Sequence, residues 1–172
     1  MDRMTVEQRS RLMSRIRGRD TKPEVYVRQR IFSAGWRYRV CDRRFVGRPD
    51  IVVSRARTLI DVRGCFWHRH GCAASSMPKS NVAFWMQKWS RNVKRDKRNE
   101  SEWQKDGWNL IVVWECALKA EARERTLSRI CECLDAGPRK SPPASAAAGR
   151  TVSSCRADSP HFSRAMAGAV RL

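Results

Sequence analysis

The sequence predicts an α/β fold, a central mixed sheet flanked by helices, and three observations carry the prediction. Helical and strand-like patterns alternate along the chain with no internal repeat, which favours layers over a bundle or a sandwich. Short apolar runs bounded by Gly, Pro or charged residues recur between positions 36 and 114. At 172 residues the chain can bury one real core but is short for two.

Taken in order, Thr5–Arg17 reads as a helix whose stripe of Val6, Leu12, Met13 and Ile16 is too narrow for deep burial, leaving an Arg-rich face for phosphates. Asp20-Thr21-Lys22-Pro23-Glu24 opens a second helix, with Thr21 as cap, Glu24 three residues on and Pro in the first turn. Gly35 ends it. Trp36–Cys41, Pro49–Val53 and Thr58–Val62 read as the strands of a meander. Asn81–Asp106 is a long helix closed by Gly107, Trp108–Trp114 a continuous apolar strand, and Glu121–Leu134 a last helix. These segments define a folded domain over residues 1–136. From 137 to 172 the chain turns to Pro, Ala, Ser and Arg, too poor in large apolar groups to offset ordering entropy, and reads as a disordered basic tail.

Lys and Arg number 36 against 17 Asp and Glu, a formal charge of +19 that points to a polyanion, nucleic acid first. The basic residues run through Arg9–Arg19, Arg28–Arg48 and Lys88–Arg98, so the folded surface itself carries them. Seven cysteines, an odd number, behind a Met1-Asp2-Arg3 start without a signal-peptide pattern, argue against a disulfide framework and for a reducing cytosol. No run approaches the roughly 20 apolar residues of a membrane span.

Gly64-Cys65-Phe66-Trp67-His68-Arg69-His70-Gly71-Cys72 gathers two of the three histidines and two cysteines. Zinc takes such thiolate and imidazole donors in a tetrahedron. Cys65, His70 and Cys72 offer three ligands, and Cys116, just past the Leu110–Trp114 run, is the candidate fourth. Isolated cysteines are commonly small buried residues, which is how Cys41, Cys131, Cys133 and Cys155 read.

A second constellation is Glu24, then Arg48-Pro49-Asp50, then Asp61-Val62-Arg63. Asp61 and Arg63, two apart on a strand, share a face, and Asp50 can join them at a sheet edge to offer oxygens to a hard divalent cation. The spacing resembles the PD-(D/E)xK nuclease core with Arg63 in the Lys position, although Glu24 also suits a plain capping role. Aromatic residues interleave with bases in a third feature: Phe66 and Trp67, then Trp85 and Trp89 beside Lys88, Arg91, Lys94 and Arg95. Apolar wedges of this kind can enter an unstacked base step. Phe84 and Trp89 read instead as a helix's core stripe, and Phe66 and Trp67 as exposed.

Arg19-Asp20-Thr21 with Glu24, Gly47-Arg48-Pro49-Asp50, Gly64–Cys72, Asn92–Asp96 and Ile111–Cys116 together resemble the very short patch repair (Vsr) endonucleases, over roughly residues 8–120. The resemblance implies a restriction-endonuclease-like core, structural Zn2+ on Cys65, His70, Cys72 and Cys116, and catalytic Mg2+ on Asp50 with the main chain at Val62. It implies His68 as general base or proton shuttle, Asp96 as its orienting carboxylate and Glu24 as an outer carboxylate. Phe66, Trp67 and Trp85 would wedge beside a mismatch, Met13 would reach the minor groove, and Asn92 would join the DNA-binding set. The implied reaction is a nick in double-stranded DNA 5′ of the thymine of a T·G mismatch left by 5-methylcytosine deamination. The implied setting is a monomer at the bacterial nucleoid in the cytoplasm, with no membrane partner and mismatch-repair proteins as accessory partners. Asp61 and Arg63 depart from the family's usual apolar residue and His. Asp61 adds a carboxylate for the metal, and Arg63 keeps a positive charge near the phosphate without proton exchange near neutral pH.

Two other functions stay open on the sequence alone. A nuclease of a restriction-modification system, cutting matched or differently mismatched DNA, would use the same carboxylates. A noncatalytic zinc-stapled DNA-binding module would leave Asp50, Asp61 and His68 as surface residues.

Overall fold

Alternation along the strands decides the layers. The structure, a computed structural model, describes residues 5, 7, 8, 11, 14, 15, 18–137 and 169–172. Its sheet contains β1 (Arg39–Val40), β2 (Ile51–Val53), β3 (Thr58–Arg63), β4 (Asn109–Trp114) and β5 (Ala169–Arg171). Among the described residues the strands lie in that spatial order, antiparallel from β1 to β3 and parallel from β3 to β5. The sheet is therefore mixed, and the meander expected over its first three strands is present.

Ile51, Val53, Ile60, Ile111 and Val113 point to one face, where they pack with Val27 and Ile31 of α1 (Lys22–Ser33) and with Leu127, Ile130 and Leu134 of α3 (Ala120–Ala136). Val52, Leu59, Leu110 and Val112 point to the other, against Trp103 of α2 (Val82–Lys105). Burial on both faces is why the Leu110–Val113 stretch is apolar without a break. Truncating one of these side chains to Ala should cost about 2–5 kcal/mol through lost transfer energy and the cavity left behind.

The connections serve the same layers. Gly35 takes φ +86° and closes α1, with Trp36 N donating to Ile31 O at 3.0 Å. Arg57, in the left-handed region at the β2–β3 turn, donates to Asp106 O and Gly107 O at 2.7 Å and so satisfies carbonyls at the end of α2. Between β3 and β4 the chain makes the parallel crossover that carries the Gly64–Cys72 segment and α2.

Three expectations need correction. The capping box at α1 does not form: Thr21 Oγ1 donates to the Glu24 carboxylate, and Glu24 receives the Asp20 N–H, because the Glu24 side chain is drawn to Arg28. The strand over Trp36–Cys41 shrinks to Arg39–Val40, since Trp36 turns into the core and leaves an exposed two-residue edge. Of the tail read as disordered over 137–172, residues 138–168 lie outside the described residues, and the last four are ordered. Residues 169–172 add a strand to the open edge of β4, where unpaired backbone groups take a further chain. Met13 and most of the helix expected at Thr5–Arg17 lie outside the described residues. Among the described residues no helix is long and apolar enough to cross a membrane.

Candidate active site and metal centre

At the carboxyl end of β3 the sheet opens into a cavity of about 740 Å³, and Glu24, Asp50, Asp61, Arg63, His68 and Asp96 all line it. Sequence positions 24 to 96 are thus brought to one place by α1, the start of β2, the end of β3, the turn beyond it and α2.

Asp50 precedes β2, and its Oδ2 accepts the Val62 N–H at 2.7 Å. Burial first, then the Asp61 charge, push its carboxyl up to about 8, against the lowering effect of that hydrogen bond. A buried carboxyl beside a second carboxylate is short of a positive partner. Glu24 is not: it accepts from Asp20 N at 3.0 Å, Thr21 Oγ1 at 2.8 Å and Arg28 Nη2 at 2.7 Å. Asp61 is spoken for as well, because Arg63 Nε donates to its Oδ2 at 2.8 Å while Arg63 Nη1 reaches Glu100 Oε1 at 2.6 Å.

His68 Nδ1 lies 2.5 Å from Asp96 Oδ2, and Arg95 Nη2 lies 3.3 Å from Asp96 Oδ1. Burial alone would raise Asp96, but the His68 hydrogen bond and the charges of His68, Arg63 and Arg95 overcome it and hold the carboxyl below its ordinary value. A carboxylate at Nδ1 fixes the neutral tautomer with its proton there, which leaves Nε2 as the ring's proton acceptor.

The Cys/His cluster follows from strand register. Arg63 pairs with Trp114 across the parallel β3–β4 ladder, so Cys65 and Cys116, each two residues further on, emerge side by side. Arg69 and Gly71, both at positive φ, turn the intervening chain back so that His70 and Cys72 complete the group. The donor atoms of Cys65, His70, Cys72 and Cys116 lie within 4.8 Å of one another, and this cluster can hold a metal ion. The His70 ring stacks on Trp114 at 4.2 Å and 11°.

The aromatic residues form a packed group beside the cavity. Phe66 meets Trp67, Trp85 and Trp89 at 5.2, 5.0 and 5.4 Å between ring centres, and Trp67 lies 5.9 Å from Trp85. Phe66 and Trp67 are half-buried rather than exposed, because they rest on Trp85 and on the buried Trp89. Phe84, expected in the core stripe, is 51% exposed. Asn92 does not stand free: its Nδ2 donates to Trp67 O at 2.9 Å and fixes the backbone of the aromatic turn.

Several lining or supporting residues escaped the sequence reading. Glu100 clamps Arg63, and Asn99 and Glu115 line the cavity, whereas Lys88, expected beside the aromatic residues, has its Nζ 5.2 Å over Trp67. For Glu100 a signal existed. Asp96, Asn99, Glu100 and Trp103 recur at helical spacing, a buried stripe within a basic helix.

The family profile described as DNA mismatch endonuclease Vsr matches residues 1–74. The chain is 47% identical over 137 residues to the type II nicking enzyme V.NmeAIP of Neisseria meningitidis, covering 78% of this chain and 98% of that one. It is 40% identical over 130 residues to the type II nicking enzyme V.XorIIP of Xanthomonas oryzae pv. oryzae, covering 73% and 96% of the two chains. It is 40% identical over 115 residues to the DNA mismatch endonuclease Vsr of Escherichia coli, covering 67% and 74%.

Proposed function

The chain belongs to the Vsr family of DNA endonucleases, and from that premise we propose that it nicks double-stranded DNA 5′ of the thymine in a T·G mismatch, starting very short patch repair. One juxtaposition carries the reading: the His68–Asp96 pair and the Asp50 carboxyl line a single cavity next to the Cys/His cluster. The enzyme is read as a monomer, and the mixed sheet with helices on both faces supports a restriction-endonuclease-like core.

The two donor sets differ in hardness. Asp50 is a hard oxygen donor held near 8 by burial and Asp61, a carboxyl that favours a nearby cation, and it fits Mg2+ together with the main chain at Val62. Three thiols and an imidazole fit structural Zn2+, since Zn–S bonds of about 2.3 Å put tetrahedral sulfurs about 3.8 Å apart, inside the observed spread. Bound at Asp50, Mg2+ supplies charge stabilisation at the phosphate and a lower pKa for water.

The chain's own groups do the rest. His68 Nε2 takes the proton of the attacking water, and Asp96 keeps Nδ1 protonated and turns the ring towards the cavity. Arg63 places a fixed positive charge where negative charge grows on the phosphate. Glu24, locked by its three donors, adds an outer carboxylate that orders water or metal ligands. Phe66, Trp67 and Trp85 present the wedge, and a T·G pair, weakly stacked, is cheaper to open than a matched pair. Lys88 and Arg95 line the same cavity and attract the backbone.

The deciding experiment is a nicking assay on a labelled duplex with one T·G pair in a C-T-A/T-G-G context, with Mg2+, against a matched T·A duplex. Cleavage of the thymine strand of the mismatched duplex alone is the expected result, and intact T·G duplexes would overturn it.

A second reading has its own support. The Asp61–Arg63 pair stands where the family commonly has an apolar residue and His, and two relatives carry the name type II nicking enzyme. A nuclease tied to a restriction-modification system, with a different sequence or mismatch preference, would fit both. A panel of mismatches and matched duplexes separates the two readings.

A further inference from the structure

The cation in the cavity is anchored from the far end of the chain. Arg63 is 3% exposed, and its guanidinium is gripped by Asp61 through Nε and by Glu100 through Nη1. Nη2 lies 2.7 Å from Asp61 Oδ2 yet makes no hydrogen bond. Glu100 uses its second oxygen elsewhere: Oε2 accepts from Arg171 Nη2 at 2.8 Å. Arg171 belongs to β5, opposite Val112, and the strand is fixed there by Leu172 N donating to Val112 O and Trp114 N donating to Leu172 O, both at 2.9 Å. Register puts Arg171 on the Val112 face of the sheet, the face that α2 covers.

A carboxylate bridging two guanidinium groups cannot rotate without losing a charge-assisted hydrogen bond. Without Arg171, Glu100 keeps one partner and is free to turn, and the Arg63 side chain turns with it. Nη2, paired with Asp61 Oδ2 as well, is buried, so the guanidinium acts on the cavity through its fixed charge. A guanidinium charge fixed at the cavity wall attracts an anionic oxygen.

We propose that the C-terminal strand is part of the catalytic apparatus, with Arg171 and Glu100 as positioning residues that hold the Arg63 guanidinium at the DNA phosphate. The inference rests on the nuclease reading of the cavity. Arg171 is half exposed, so its ion pair adds little to global stability, and its loss should show in the reaction rather than in the melt.

The test uses the full chain with Arg171→Ala, Arg171→Lys and Glu100→Gln. One readout is solvent exchange of the Arg63 Nε–H in 15N spectra, assigned by its disappearance in Arg63→Lys. The other is the single-turnover nicking rate on whichever duplex the parent protein cuts. In Arg171→Ala and Glu100→Gln the exchange should quicken and the rate fall, each about tenfold, with DNA affinity unchanged, the melting temperature of Arg171→Ala unchanged and Arg171→Lys restoring most of the rate. A nicking rate within about twofold of the parent in Arg171→Ala overturns the proposal, whether or not the Arg63 signal moves. If the parent cuts no duplex, the nuclease reading is what fails. The Arg63 signal then decides alone, unchanged exchange overturning the strand's role and faster exchange sustaining it.

Discussion

Asp96 Oδ2 stands 2.5 Å from His68 Nδ1 across the gap between α2 and the turn after β3, so the candidate base and its orienting acid are paired before any substrate arrives. Because Asp96 is held below its ordinary 3.8, its contribution to stability is fully present above pH 3.8 and is lost as pH falls through the folded value. Asp96→Asn should therefore melt at a lower temperature than the parent at pH 6, and the gap should close as both are titrated below pH 4. His68→Ala should slow nicking by about 10²–10⁴-fold with DNA affinity retained. Thermal melts across that pH range and single-turnover rates check both.

Asp50 has the opposite sign. Its carboxyl is raised to about 8, so the fold's stability is fully present below the ordinary 3.8 and falls as pH rises towards 8. In magnesium-free buffer Asp50→Asn should lose less stability than the parent between pH 4 and 8 while being inactive by at least about 10³-fold. Mg2+ should raise the melting temperature of the parent and leave the variant unmoved. A variant that melts lower than the parent at pH 8 would contradict the shortage of positive charge around Asp50.

Much of this site was legible because its chemistry is compressed into short segments. Gly64–Cys72 places three metal donors, the base and two aromatic residues within nine positions, and β3–β4 pairing then makes Cys116 a neighbour of Cys65. The layers were legible from the doubly apolar Leu110–Val113 run. Burial was harder. Phe84 and Trp85 are adjacent apolar residues on a helix, and only the position of the aromatic turn leaves the first exposed and buries the second. The stripe marks Glu100 as buried but not as the partner of Arg63, and the strand at Ala169–Arg171 has no local signal, since each pairing is made with a residue some 37 to 71 positions away.

Gly47 sits at φ +74°, and a Cβ there would lie 2.0 Å from Nδ2 of the buried Asn99. Trp103 Nε1 donates to Val46 O at 2.8 Å, so the loop cannot slide away to make room. Gly47→Ala should cost about 1–3 kcal/mol in urea unfolding, from left-handed backbone strain and overpacking. The same loop carries Asp50, so nicking should fall more steeply than stability does. A change below about 0.5 kcal/mol would show that the loop relaxes freely.

Loss of the metal cluster should reach the cavity through one ring. Trp114 stacks on His70 and lies 6.0 Å from the Arg63 guanidinium, so the staple and the candidate phosphate-binding cation share a wall. Metal analysis should find about one zinc per chain, and Cys116→Ser should lower that content and destabilise the Gly64–Cys72 turn. Because the turn also carries His68, a chelator titration followed by both nicking and tryptophan fluorescence should show activity falling before the sheet unfolds. Nicking that survives complete removal of zinc would mean that His68 is held by Asp96 alone and that the staple is dispensable to the reaction.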